Sequence, residues 1–314
     1  MKKPLIVLTG PTAVGKTALS LSLAKQIGGE IVSADSVQVY RDMDIGSAKI
    51  RPEKMQGVRH HLIDVLAPEE KFDACRFKRM ALEAMDGIYA RNHIPIIEGG
   101  TGFYIDALLY DAHFGDAKVD MAYREALEQY DAETLHRRLE SVDPKSALVI
   151  HANNRKRVIR ALEYCHTAGE MFSDYNAREK ERTSPYNFAY FVLTRDRANL
   201  YARIDARVDE MLEEGLVKEV EGLLQRGLTP KEGAMNAIGY KEMADYILGK
   251  ETYEESVRLL KRNTRHFAKR QLTWFRREKD AILIDKDQYE DEEALLTGLF
   301  HTLIEKEIIK TTKE

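Results

Sequence analysis

The chain has 314 residues, of which 44% are hydrophobic and 32% charged, as in globular proteins that fold in water. Its net charge of −4 argues weakly against a polyanion partner, so attraction to one would have to come from local basic patches. No apolar run approaches the roughly 18 residues that cross a bilayer, and the run after Pro4 is shorter than the ~7–15 residues of a signal peptide. We therefore expect a cytoplasmic protein without membrane contact, and free thiols at Cys75 and Cys165.

Short apolar runs alternate with helical patterns over the first hundred residues. The predicted strands are 5–10, 30–35, 60–66 and 94–100, and the predicted helices are 17–28 and 72–92. Strand and helix repeated in this way predict a parallel sheet covered by helices.

The pattern changes at about residue 118, where helical spacing continues with no clear strand until 188–196. Beyond that strand we predict helical structure over 203–227, a long basic helix near 254–277 and a last strand at 281–285. The sequence thus predicts an α/β fold, a P-loop NTPase-like parallel sheet flanked by helices. Its core would comprise residues 1–117 and 187–314, with a helical insertion domain at 118–186.

A phosphate-binding loop lies between the first predicted strand and helix. Its residues fit the pattern G-x-x-x-x-G-K-[ST] in full: Gly10, Pro11, Thr12, Ala13, Val14, Gly15, Lys16 and Thr17. The glycines allow a tight turn, Lys16 supplies positive charge, and the Thr17 hydroxyl suits Mg²⁺. The motif does not identify the phosphate ester, and nucleoside triphosphates are the usual ligands.

Acidic residues at the carboxyl ends of the strands are candidates for the chemistry. Asp64 and Glu98 each lack the run of four apolar residues that precedes the metal-side acid of ATPases. Asp35 follows the second strand, at the edge where open α/β sheets bind ligands. Its carboxylate is suited to hold a metal or to accept a proton; the alternative is an Asp that caps a turn.

Several motifs together carry a family resemblance. They are GPTAVGKT, DSVQVYRDMDIGSAK, RHHLID, EGGTGFYIDALL, NNRKRVIRALE, NAIGYKE and TRHFAKRQLTWFR. With them the chain resembles the tRNA dimethylallyltransferase family, in its bacterial form, over nearly its whole length. Ser47 and Phe103 stand where the family more often has Thr and Leu.

The resemblance implies transfer of a dimethylallyl group from dimethylallyl diphosphate to the exocyclic N6 amine of the adenine 3′ of the tRNA anticodon. The P-loop would then hold a diphosphate leaving group, with Mg²⁺ on Thr17. Asp35 is implied as the base, and Thr101 as a hydrogen-bond partner near the adenine, although Thr101 could instead cap the next helix. The resemblance implies that Arg207, more than Arg203, reaches the diphosphate. The alternative is that these arginines form a solvated network with Asp209 and Glu210.

The resemblance also implies contacts with the tRNA anticodon stem-loop. The residues concerned are Asp35, Ser36, Val37, Gln38, Thr101, Tyr123, Lys156, Arg157, Val158, Ile159 and Arg160. Residues 258–279 carry nine Lys or Arg against one Glu. On an ideal helix Arg258, Arg262, Arg265, Lys269 and Arg276 share one arc, and a phosphate backbone would relieve their mutual repulsion. We therefore add Arg265 and Lys269 to the tRNA-binding residues.

Two alternatives remain at this point. A P-loop small-molecule kinase or NTPase, binding ATP, explains GPTAVGKT but not DSVQVY, GGTGFY or the basic helix. A non-catalytic RNA-binding module explains the basic helix but gives Lys16, Thr17 and Asp35 no role. We expect a monomer. His60, His61 and Trp274 have no assigned role, Trp274 being either a core residue or a stacking surface for a base.

Overall fold

The computed structural model describes residues 2–112, 120–230 and 233–310. The chain forms two compact units, Met1–Leu109 with Pro185–Glu314, and Tyr110–Ser184. The domain boundary expected at residues 117 and 118 lies outside the described residues. In the described ranges, no helix is both long and apolar enough to cross a membrane.

The larger unit contains a six-stranded sheet in which all paired strands are parallel. The strands are β1 (Lys3–Thr9), β2 (Glu30–Ser33), β3 (His60–His61), β4 (Pro95–Gly99), β5 (Tyr186–Thr194) and β6 (Ala281–Asp285). Their order is β3-β2-β4-β1-β5-β6, which places β1 between β4 and β5. The inner strands are apolar runs buried on both faces, as a parallel sheet between helical layers requires. The predicted α/β fold class is confirmed.

The third strand is shorter than predicted. Only His60 and His61 pair with β2, whereas the prediction extended to residue 66. Leu62 and Asp64 take positive φ values, which break an extended conformation. Leu66 then makes a single parallel bridge to Tyr40. The prediction was wrong here because an apolar alternating pattern does not reveal residues in left-handed conformations.

Three helices precede the smaller unit: α1 (Lys16–Ile27), α2 (Ala74–Ala90) and α3 (Gly102–Leu109). The smaller unit is helical throughout its described residues, with α4 (Met121–Glu128), α5 (Ala132–Val142), α6 (Pro144–Val149), α7 (Arg155–Ala168) and α8 (Phe172–Lys180). Its own core is built from Leu127, Leu135, Leu139, Val158, Ile159 and Leu162. A separate core of this kind allows the unit to be compact by itself.

The C-terminal part of the larger unit contains α9 (Arg197–Glu214), α10 (Leu216–Gln225), α11 (Tyr240–Ile247), α12 (Tyr253–Phe275) and α13 (Glu292–Glu305). The helical pattern predicted over 203–227 is interrupted at Gly215, whose φ of +105° ends α9 and begins α10. A left-handed glycine is the usual way to end a helix, and here it separates two amphipathic segments. The long basic helix α12 extends over 23 residues.

Candidate active site

A left-handed glycine at each end shapes the loop between β1 and α1. Gly10 has a φ of +145° and Gly15 a φ of +93°, values that L side chains rarely adopt. A Cβ on Gly10 would stand 2.6 Å from the carbonyl oxygen of Leu193 on β5, so a side chain would push the loop off the sheet. The loop leads directly into the N-terminus of α1, where backbone N–H groups and the helix dipole favour an anion.

Four cationic side chains hold the carbonyl groups of this loop. Lys16 Nζ donates to the oxygens of Gly10 and Pro11, both at 3.0 Å. The other three bonds are Arg203 Nε to Ala13 O at 2.9 Å, Arg195 Nε to Val14 O at 3.4 Å, and Lys286 Nζ to Gly15 O at 3.3 Å. Sequence reasoning missed Arg195 and Lys286. In the structure Arg195 directly follows β5 and Lys286 directly follows β6, at the edge of the sheet where open α/β sheets bind ligands. Lys286 also follows the predicted strand 281–285, a position that could have identified it, whereas the predicted strand 188–196 included Arg195.

Glu98 lies at the carboxyl end of β4, beside the start of α1. Its Oε1 accepts a hydrogen bond from the Thr17 hydroxyl at 3.4 Å. Burial raises the pKa of the Glu98 carboxyl, opposed by the charge of Lys16, and burial lowers the pKa of the Lys16 ammonium, opposed by Glu98. Thr17 and Glu98 thus offer hard oxygen donors of the kind that Mg²⁺ prefers. Asp64, the other acid considered, instead pairs with Lys49.

Asp35 follows β2 at the same edge of the sheet. Its Oδ1 accepts hydrogen bonds from the backbone N–H groups of Val37 at 2.8 Å and Gln38 at 3.2 Å, so the carboxylate does cap a turn. Its Oδ2 makes no hydrogen bond to any described residue. The side chain also lines a cavity, so the turn leaves one carboxylate oxygen available to a ligand.

Two cavities adjoin at the P-loop. The first, of about 290 Å³, is called the apolar cavity here because its wall includes Val37, Ile204, Val208, Met211, Leu260 and Phe267. Its polar groups include Asp35, Ser36, Thr101 and Arg207. The second, the phosphate-loop cavity, has a volume of about 320 Å³ and is lined by Gly15, Lys16, Thr17, Arg203, Arg207 and Glu210. Ala13 and Arg207 line both, so an anion in one cavity would lie beside an apolar group in the other.

Thr101 is held at the apolar cavity by the glycines around it. A Cβ on Gly99 would stand 2.3 Å from the carbonyl oxygen of Ala34, so β4 ends tightly against the end of β2. The Thr101 N–H donates to that same oxygen at 3.2 Å. Its hydroxyl makes no hydrogen bond to the described part of the chain, and in particular does not cap α3.

The two predicted arginines occupy different environments on α9. Arg203 is exposed, whereas Arg207 is half-buried and its Nη2 lies 3.5 Å from the carbonyl oxygen of Ala48. Burial lowers the pKa of Arg207, opposed most by Glu98. The alternative network with Asp209 and Glu210 does not form among the described residues, since Asp209 pairs with Lys261 at 2.6 Å.

The basic helix α12 is partly neutralised by neighbouring acids. Arg258 pairs with Glu255, and Arg265 with Asp205 of α9. The repulsion expected along one arc is therefore relieved within the protein for these two arginines. The helical projection covered only residues 258–279, so it included neither Glu255 nor Asp205. Lys269 is exposed and has no ion pair within the described ranges.

A buried glutamine of α12, missed by sequence reasoning, joins two loops of the site. Gln271 Oε1 accepts from the Thr12 N–H at 2.9 Å, and Gln271 Nε2 donates to the Gly100 oxygen at 2.9 Å. The side chain is 6% exposed. A lone Gln in a helix gives no sequence signal of this kind, but its spacing from Leu260, Ala268 and Phe275 places it on the buried face.

The predicted tRNA-binding residues of the smaller unit differ in their exposure and contacts. Lys156, Arg157 and Arg160 are exposed on α7. Val158 and Ile159 are buried in the unit's core, so the structure contradicts RNA contact by these two side chains. Tyr123 stacks on His166 with ring centroids 3.9 Å apart. Five consecutive side chains cannot all face the RNA, because at about 3.6 residues per turn a helix directs some of them, here Val158 and Ile159, into the core.

The fold and these cavities define a P-loop α/β protein in which an anion-binding loop adjoins a partly apolar cavity. The IPP transferase family model matches residues 38–278, and the chain belongs to this family. A tRNA dimethylallyltransferase from Lachnoclostridium phytofermentans is 52% identical over 312 residues, covering 98% of this chain and 100% of that protein. The resemblance found in the sequence is thereby confirmed.

Solved structures of similar proteins agree with this family assignment. The tRNA isopentenylpyrophosphate transferase of Bacillus halodurans has 43% sequence identity and a TM-score of 0.75, with 98% of each chain covered. A eukaryotic dimethylallyltransferase acting on tRNA has 29% identity and a TM-score of 0.85, covering 99% of this chain and 81% of that one.

Proposed function

We propose that this protein transfers a dimethylallyl group from dimethylallyl diphosphate to the N6 amine of the adenine 3′ of the tRNA anticodon, releasing diphosphate. The observation that carries the proposal is the junction of the two cavities at Ala13 and Arg207. It provides an anion site and an apolar site in contact, as a substrate with a charged head and a hydrocarbon tail requires.

The phosphate-loop cavity holds the diphosphate. Cleavage of the C–O bond places negative charge on the leaving group, and the loop N–H groups, Lys16 and Arg207 stabilise that charge. Mg²⁺ on Thr17, with Glu98 facing the same hydroxyl, would neutralise the diphosphate further when bound. Arg203 holds the loop through Ala13 and adds positive potential from outside.

The apolar cavity holds the dimethylallyl chain and the adenine. The electron pair of the adenine N6 forms the new C–N bond as the C–O bond breaks, and the N6 proton passes to the free Oδ2 of Asp35. A positioned base of this kind contributes roughly 10²–10⁴-fold. Thr101 has an unengaged hydroxyl with which to hydrogen-bond the base. Apolar walls at Val208, Met211 and Leu260 exclude water, which would otherwise trap the allylic cation.

The exposed cations Lys156, Arg157 and Arg160 of α7, with Lys269 of α12, are proposed to contact tRNA phosphates. Such contacts position the RNA without reading its sequence. The target adenine must leave its stack to enter the cavity, as in other enzymes that modify bases. We also propose that the chain acts as a cytoplasmic monomer, which light scattering at working concentration would test.

The experiment offers labelled dimethylallyl diphosphate and labelled ATP, in separate reactions, to the enzyme with unmodified tRNA. We expect label from dimethylallyl diphosphate in tRNA, located on the adenosine 3′ of the anticodon. The kinase alternative predicts instead that label from ATP appears in a product and that dimethylallyl diphosphate is inert. Either of those results would overturn the proposal.

A further inference from the structure

An exposed aromatic pair lies beside the loop that carries Thr101. Trp274, the only tryptophan of the chain, is 39% exposed, and Phe103 is 52% exposed. Their rings meet edge to face, with centroids 6.3 Å apart and an interplanar angle of 80°. Trp274 is therefore not a core residue, although it stands on the helix that packs against the site.

The indole ring is held in a fixed orientation. Its Nε1 donates to Asp106 Oδ2 at 2.9 Å. A Cβ on Gly102 would stand 2.2 Å from Trp274 Cδ1, so the ring lies directly on the glycine that follows Thr101. A rigid ring loses little freedom when a ligand stacks on it, which favours binding.

Cations border the pair in a shallow groove along α12. Its lining is His266, Lys269, Arg270, Thr273, Trp274 and Arg277. Lys269, Arg270 and Arg277 have no acidic partner in the described chain, in contrast to Arg258, Lys261 and Arg265 in the first half of the helix. Two cations of α12, Lys269 and Arg270, and Arg277 just beyond its end thus border the aromatic pair without an ion pair among the described residues. Arg262, farther from the pair on the same helix, likewise has no ion pair among them.

The groove lies next to the apolar cavity. Arg270 lines both of them, and Gly102 beneath Trp274 immediately follows Thr101 of the cavity wall. If one unit of a polymeric ligand occupies the apolar cavity, a neighbouring unit of that ligand can therefore lie over Trp274.

We propose that Trp274, supported by Phe103, is a stacking site for an unpaired RNA base adjacent to the target adenine, with Lys269, Arg270 and Arg277 holding the flanking phosphates. Aromatic rings bordered by basic side chains are the usual means of binding single-stranded nucleic acid. The site rests on the proposed function, since it deepens the recognition of tRNA. Its ligand is a base in a loop, not a paired stem.

Because Trp274 is the sole tryptophan, its fluorescence reports the site directly in the unmodified protein. The titrants are an anticodon stem-loop with an unpaired loop and a blunt RNA duplex of equal length, both at ~0.15 M salt. We expect the stem-loop to quench the emission and the duplex to leave it unchanged. Equal responses to the two RNAs, or no response to either, would overturn the stacking site.

Variants separate stacking from charge. Trp274→Leu is expected to weaken stem-loop binding by about 5- to 100-fold, the loss of one base–aromatic stack, and to leave duplex binding unchanged. Trp274→Phe should retain most of the affinity. Tyr253→Leu, at the other end of α12 and also 39% exposed, is the matched control. Equal weakening of both RNAs by Trp274→Leu, with its fold verified by circular dichroism, would contradict the proposal.

Failure of the stacking site and failure of the proposed function give different results. Prenyl transfer by the wild-type enzyme without specific quenching refutes only the stacking site. Specific quenching without transfer of the dimethylallyl group refutes the proposed reaction.

Discussion

Gln271 of the basic helix and Thr12 of the P-loop, 259 positions apart in the chain, are joined by a 2.9 Å hydrogen bond from the Thr12 N–H to the Gln271 side-chain oxygen. The other end of the same amide donates to Gly100, next to Thr101. One buried side chain therefore sets the spacing between the loop proposed to bind diphosphate and the loop proposed to bind adenine.

Replacing Gln271 with Leu should lower both stability and turnover. Two hydrogen bonds are lost and buried backbone groups are left without partners, which costs on the order of 1–3 kcal/mol. A shift of the P-loop relative to Thr101 should reduce kcat by roughly 10- to 100-fold. Urea unfolding and steady-state kinetics measure the two effects. Thr297→Ala, on α13 and exposed, should change neither. A destabilised variant with wild-type kcat would show that Gln271 is only a packing residue.

Arg207 and Arg203 should differ in their effect on the reaction. Arg207 is half-buried and lines both cavities, whereas Arg203 is exposed and bonds to the loop backbone. Arg207→Gln should reduce kcat/KM by about 100-fold or more, as for other charge-stabilising donors, and Arg203→Gln by less than about tenfold. Kinetics with dimethylallyl diphosphate as the varied substrate compare the two. Equal losses would indicate that both guanidinium groups contact the diphosphate.

Acid should destabilise the protein through Glu30 at the opposite end of β2. The nearly buried carboxylate accepts from Arg91 at 2.7 Å, and His61 and His93 lie at 2.7 and 2.8 Å. The Arg91 hydrogen bond is the main cause that lowers the pKa of Glu30 from 4.5 to about 2. Because the folded pKa lies below the unfolded one, the stabilisation is complete above about pH 4.5 and is lost as the pH falls toward 2.

This linkage is worth on the order of 3 kcal/mol. Glu30→Gln should therefore lower the free energy of unfolding by about that amount at pH 5, and the gap from wild type should close as the pH approaches 2. Denaturant unfolding at several pH values measures the gap. A gap that does not change between pH 5 and pH 2 would show that altered packing around residue 30, and not loss of the ion pairs, causes the destabilisation.

The fluorescence of Trp274 should titrate near neutral pH. Burial raises the pKa of Asp106 to about 7, and its Oδ1 is buried without a hydrogen-bond partner among the described residues. Below that pH Asp106 is neutral, and above it the indole N–H faces a carboxylate, so the emission should change through pH 7. Asp106→Asn should abolish the transition. A transition that persists in this variant would assign it to another group.

The fold was predictable because its signals are local. The apolar runs of β1, β4 and β5, the glycine-bracketed loop and the helical spacing of α1 each indicate their element, and alternation of strand and helix dictates a parallel sheet. The end of the third strand was not predictable, because Leu62 and Asp64 take left-handed conformations that their side-chain types do not indicate.

Local motifs predicted part of the site, and the family resemblance added Thr101, Arg203 and Arg207, which line the cavities. The P-loop and Asp35 lie at strand ends close to one another in sequence. Arg195, Gln271 and Lys286 reach the same loop from residues 180 or more positions away, and single-residue contacts across such separations leave no periodic pattern. The pairing of Arg265 with Asp205 was missed for the same reason.

The most direct test of the account is the single-turnover rate of prenyl transfer to tRNA by Asp35→Asn. Asn preserves the side-chain oxygen that accepts from Val37 and Gln38, so the turn should remain, while the proton acceptor is lost. We predict a rate at least about 100-fold lower, the low end for a general base, with unchanged affinity for dimethylallyl diphosphate and unchanged stability. A rate within about threefold of wild type would show that Asp35 only shapes the turn and that the chemistry has been assigned to the wrong residue.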